Sequence, residues 1–158
     1  MPIPAGPGDP NRPDWAPEVM QVAAHVPYMT VDTVTPGSQR YWGTFNAYTT
    51  PNLDQAELLI AQSWPPVAAA TGVLMEVVWP LAQQVAALRA AAAIVRAYPR
   101  DDGDLARAAA LDARADADLK RLIEANEAAG GGQGSDPADA LVPLYSFPAS
   151  VPWGDDLL

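Results

Sequence analysis

Cysteine is absent from the 158 residues, so neither a disulfide framework nor a thiolate metal site is open to this chain. Histidine occurs once, as His25, and with no second histidine or thiol a functional base or metal ligand there lacks partners. A partly packed or exposed side chain is the expectation. Positive charge is also scarce. Nine Lys and Arg stand against 19 Asp and Glu, a formal net charge of −10 at pH 7. No basic stripe offsets that excess, so the surface repels a phosphate backbone and specific nucleic-acid binding is not expected. The longest apolar stretch, Val73 to Val95, is interrupted by Glu76, Gln83, Gln84 and Arg89, which argues against a membrane span. Met1-Pro2-Ile3-Pro4-Ala5-Gly6-Pro7 has no basic region ahead of an apolar core, so no signal peptide is expected. The chain reads as soluble, made inside a cell, with no membrane partner.

What is present points to a packed domain. Hydrophobic residues make up 49% of the chain, too many for a wholly disordered one, and the length suffices for one domain with its own core. The 17 prolines and 11 glycines crowd toward both ends, while alanine dominates the middle. Arginine outnumbers the single lysine, Lys120, eight to one, a bias that fits a GC-rich genome.

The pattern predicts a mainly α fold: a small helical bundle with a β-hairpin insertion and extended N- and C-terminal arms. Residues 1–13 form the N-terminal arm, 14–129 the helical domain with a hairpin at about 28–49, and 130–158 a glycine linker and C-terminal strap. A short helix is expected from about Pro17 to His25, stopped by Pro27. Tyr28–Val34 and part of Arg40–Thr49 are rich in β-branched residues, and Thr35-Pro36-Gly37-Ser38 between them suits a type II turn. Thr50-Pro51 reads as a helix start, with Leu53, Ala56, Ile60, Trp64 and Val67 on one face. Pro65-Pro66 should break or kink that helix near Ser63, with a last turn or two ending at Gly72. Leu81, Val85, Leu88, Ala92 and Val95 make a heptad-like seam on a third helix, Pro80 to Tyr98. Alanines cover its other faces, so burial on several sides is expected, some of it from neighbouring subunits. A final helix from about Asp104 to Ala128 should bury Leu105, Ala108, Leu111, Ala115, Leu119, Leu122 and Ile123 and expose Arg107, Arg114, Asp118, Arg121 and Glu124.

No constellation carries chemistry. Asp101, Asp102 and Asp104 lack the further ligands and closing glutamate of a calcium loop, and they complement the start of the last helix. Gly130–Gly134 follows a helix, so it is no phosphate cradle, and no serine sits in a nucleophile motif. Trp42 and Phe45 resemble a base-stacking platform, but the acidic charge favours packing on protein. No catalytic, cofactor-binding or metal residue is assigned. Interface candidates are Trp42 and Phe45 on the hairpin, Ala91 and Ala93 on the third helix, and Tyr145, Phe147 and Trp153 on the strap.

The ordered set Asp14-Trp15-Ala16-Pro17-Glu18-Val19, Gly43-Thr44-Phe45-Asn46-Ala47-Tyr48-Thr49-Thr50-Pro51, Gln55-Ala56-Glu57-Leu58-Leu59-Ile60, Leu88-Arg89-Ala90-Ala91-Ala92-Ala93-Ile94-Val95-Arg96-Ala97-Tyr98-Pro99 and Leu119-Lys120-Arg121-Leu122-Ile123-Glu124-Ala125 resembles the head–tail adaptor family of long-tailed bacteriophages, particularly those infecting actinobacteria. Pro65-Pro66 and the aromatic tail depart from it. The resemblance implies a non-enzymatic virion protein: a homo-oligomeric, dodecameric ring beneath the portal protein that extends the DNA channel and receives the next neck or tail protein. The alternative is a helical protein–protein interaction module from a GC-rich bacterium. An enzyme or ligand-binding bundle is a third class, which a tightly bound small molecule or stoichiometric metal would reveal.

Overall fold

The computed structural model describes residues 10–132. Four α-helices account for most of them: α1 Val19–His25, α2 Leu53–Thr71, α3 Trp79–Ala97 and α4 Asp104–Ala128, with 3₁₀ turns at Pro27–Thr30 and Glu76–Val78. The fold is mainly α, as its periodicity predicts.

α2 begins two residues later than Thr50-Pro51 suggests. Asn52 accepts the Gln55 backbone N–H at 3.0 Å, and the Gln55 side chain accepts that of Asn52 at 3.0 Å, a reciprocal cap. The Thr50 hydroxyl is occupied elsewhere, 2.7 Å from that of Thr33. Pro65 and Pro66 remove two backbone donors, yet α2 runs unbroken to Thr71. Both prolines face solvent, while Ile60, Ser63, Val67 and Thr71 pack inward, so tertiary burial outweighs the local helix penalty. Gly72, at φ +65°, ends the helix as expected.

α3 is the core element. Ala82, Val85, Ala86, Ala87, Leu88, Ala90, Ala91, Ala92, Ile94 and Val95 are all buried by the chain's own residues. Small alanines let α4 and α2 approach from different sides, so the burial that the sequence shared with neighbouring subunits is largely supplied within one chain. α4 lies along α3, with Ala108, Ala115 and Leu122 inward. Its inner stripe also contains three polar residues, Asp104, Asp118 and Asn126. Asp118 therefore leaves the solvated face, and Leu105, expected inside, is 62% exposed. Because Asp118 accepts a bond from Gln84 of α3 at 2.9 Å, its burial is compensated.

The hairpin does not form. Among the described residues there is no strand; within the expected hairpin there is an antiparallel bridge between Val31 and Tyr41, flanked by the bonds Asp32 N–H to Arg40 C=O and Trp42 N–H to Thr30 C=O. The turn itself is present: Ser38 N–H reaches Thr35 C=O at 3.1 Å and Gly37 has φ +74°. Three features stop a ladder. Tyr28–Thr30 are wound into the 3₁₀ turn, the Asp32 carboxylate takes the N–H groups of Val34 and Thr35, and Gly43 at φ +72° redirects the chain. Phe45 is thereby carried into the core, 1% exposed.

α2, α3 and α4 run up, down and up. Thr50 and Arg100 meet at one end, and Val73 and Gly132 at the other. The core has two parts. One joins α1, Met29, Phe45, Ala56, Ile60 and Ile94 near the Arg100 end. The other gathers Trp15, Val67, Val78, Val85 and Leu122 toward the Gly132 end.

Candidate functional site

Among the described residues, six of the ten exposed large apolar side chains lie on the connections at those two ends, while Met20, Leu53, Leu58 and Leu105 are dispersed on α1, α2 and α4. On the loop between α1 and α2, Val34 is 59%, Tyr41 61% and Tyr48 46% exposed. Trp42 lies among them, half-buried, stacked on Tyr48 at 5.4 Å between centroids, with the Arg40 guanidinium 3.9 Å from its ring centre. Its indole Nε1 is buried and has no hydrogen-bond partner among the described residues. At the opposite end, between α2 and α3, Val73 is 69%, Met75 39% and Val77 76% exposed. With α3 19 residues long, the two patches are separated by roughly 30 Å of rigid helix.

The aromatic loop is anchored by charge. The Arg100 guanidinium donates to the carbonyls of Tyr28, Met29 and Thr50 at 2.5, 3.1 and 3.1 Å, tying the loop's root and the start of α2 to the α3–α4 turn. Asp104, fully buried, accepts the Arg100 N–H at 2.6 Å, the Tyr28 hydroxyl at 2.7 Å and Arg107 at 2.6 Å. Those donors, the Arg100 amide first, hold its carboxyl well below the usual range despite burial. Burial and then the Asp104 carboxylate push the Tyr28 hydroxyl up to about 12. Arg107 also pairs with Asp101 at 2.8 Å, and the two acceptors push its guanidinium pKa up. The acidic start of α4 thus already holds its own cation.

The opposite end is closed without charge. The Asn126 carboxamide accepts the Met75 N–H at 3.0 Å and donates to the carbonyls of Val73 and Thr71 at 2.9 and 3.4 Å. Gly130, at φ +87°, and Gly131 complete a Schellman cap, their N–H groups reaching the Glu127 and Asn126 carbonyls at 3.0 and 2.8 Å. A Cβ on Gly131 would stand 2.3 Å from the Asn126 carboxamide oxygen and 2.7 Å from the Val73 carbonyl oxygen. Gly132 then pairs with Val73 through two 3.0 Å bonds. Gly130–Gly132, expected to open a linker, are thus part of the folded body.

Of the interface candidates, Trp42 lies in the aromatic patch. Phe45 is sealed in the core, and so is Ala91, at 0% exposure. Ala93 is half-buried in a shallow groove with Leu59, Pro66, Arg89 and Arg96. Tyr145, Phe147 and Trp153 lie outside the described residues. Sequence reasoning missed Tyr41, Tyr48 and the Val73–Val77 tip. Their apolar side chains were legible, but the pattern placed the tyrosines on strands and the tip inside a buried run. His25 is half-buried at the end of α1, and burial and then Arg114 push its pKa down. Comparison of the chain with protein-family models, curated proteins and solved structures finds no match.

Proposed function

We propose that this chain is a structural head-to-tail connector of a phage virion, a non-enzymatic subunit that bridges two partners. It assembles as a homo-oligomeric ring, dodecameric by the family resemblance, beneath the portal protein. There it extends the DNA channel and docks the next neck or tail protein. It is made in the host cytoplasm and resides in the virion neck. The observation that supports this reading is the placement of two exposed apolar patches at opposite ends of one rigid helical body. A bridging subunit needs two contact surfaces held at a fixed separation. The Arg40–Tyr41–Trp42–Tyr48 group has the composition that dominates protein interfaces, and the Val73–Met75–Val77 tip is a smaller aliphatic counterpart. The net charge of −10 suits a channel wall past which DNA moves without sticking.

Negative-stain imaging of the protein, alone and with its portal, tests the proposal. Rings seated on the portal are expected. Tyr41→Glu and Val77→Glu, both at exposed positions, should each abolish one attachment while leaving the helical circular-dichroism signal intact. A small closed dimer indifferent to the portal would instead mark a helical interaction module.

A further inference from the structure

A third surface feature lies on the flank of the bundle. A groove of about 330 Å³ runs between α1, α3 and α4, lined by Gln21, Ala24, His25, Pro80, Gln83, Gln84, Ala87 and Arg114. Its polar lining consists of three carboxamides, one imidazole and one guanidinium. No carboxylate lines it, although acidic residues outnumber basic ones 19 to nine in the chain. The α4 carboxylates that flank Arg114 in sequence are spent. Asp118 is held by Gln84 at 2.9 Å and Arg121 at 3.3 Å, while Asp112 and Asp116 pair with Arg96 and Arg89. Arg114 forms no ion pair among the described residues. The charged group facing His25 is therefore another cation, and the Gln21 carboxamide oxygen is taken by the Glu18 N–H at 2.7 Å. The one fixed charge in this lining is the Arg114 guanidinium, and it is complementary to a carboxylate.

We propose that this groove is a carboxylate-accepting site through which copies of the chain dock on one another, an exposed acidic side chain of one copy entering the His25–Arg114 groove of the next. The proposal rests on the connector reading and names its subunit contact. Charge complementarity points to a carboxylate of a second copy as the occupant: exposed carboxylates with no ion-pair partner among the described residues, Asp54 on α2 and Glu124 on α4 among them, are available. On the connector reading the contact runs head-to-tail, the acid of one copy in the groove of the next, and a head-to-tail contact closes into a ring or runs on as a filament.

Arg114 is exposed and makes no internal ion pair, so Arg114→Glu should keep the wild-type circular-dichroism spectrum and unfolding midpoint. Sedimentation velocity on the full chain should show assembly that weakens with added salt, and Arg114→Glu should weaken it roughly tenfold or more. NMR titration of the single imidazole supplies a second readout. In dilute protein His25 should titrate below about 6.5, and in the assembled state its pKa should rise as a carboxylate arrives. If wild type and Arg114→Glu form the same rings, or the imidazole titrates identically dilute and assembled, the groove is not the contact and the connector reading stands alone. A wild-type chain that stays monomeric at every concentration, or stops at a closed dimer, overturns both.

Discussion

The two ends of the bundle seal the same kind of opening by different chemistry. At the Arg100 end, backbone groups of the loop root and the α3–α4 turn meet a guanidinium and a buried carboxylate. At the Gly132 end, comparable groups of the α2–α3 connection meet a neutral carboxamide and a glycine with no room for a methyl. Charge-assisted bonds are stronger one by one, but they bind stability to protonation. The carboxamide clamp does not titrate, and its weakness is steric. Each end therefore has its own mode of failure, set by the residue type that α4 contributes there.

The largest expected effect is at the charged end. Asp104→Ala strips an acceptor from Tyr28, Arg100 and Arg107 and leaves donors unpaired near the core, which should cost about 3–5 kcal/mol in urea unfolding. At the other end Gly131→Ala should cost about 2–3 kcal/mol by displacing Asn126 and freeing the Val73 and Met75 backbone groups. Gly130→Ala, with open space around it and only a left-handed φ to oppose it, should cost about 1 kcal/mol. Equal losses at the two glycines would mean that the close approach is relieved cheaply and the clamp is soft.

The smallest effect is the pH slope, and it separates the ends most cleanly. The folded-state pKa of Asp104 is depressed, so its stabilisation is present above the unfolded value and is lost as pH falls below about 4. Tyr28 moves the other way: raised to about 12, it contributes fully below pH 10 and loses its contribution as pH rises through that range. Tyr28→Phe should cost about 1 kcal/mol at neutral pH and flatten the alkaline limb. Asn126→Ala should lower the whole curve without changing either limb. A changed acid slope in that variant would show that the two ends are energetically coupled.

Periodicity alone determined the mainly α class and the bounds of α3 and α4 to within a residue or so, because a buried stripe at helical spacing is a one-dimensional signal. The Thr35–Ser38 turn and the Gly72 stop were equally legible, since Pro-Gly and a terminal glycine act locally. Three matters were decided only in three dimensions. α2 passes through Pro65-Pro66 because Val67 and Thr71 have a core to enter, which no local propensity registers. The hairpin gave way to a bridged loop because Asp32 and Gly43 divert the backbone and Phe45 finds a better site in the core. Asp104 reads in sequence only as a complement to the helix start, Asp118 as part of the solvated face and Asn126 as nothing, because their partners Tyr28, Gln84 and Val73 lie 76, 34 and 53 residues away. A polar residue on an apolar stripe is a defect in sequence and a joint in the fold, and only the tertiary structure supplies the other half of the joint.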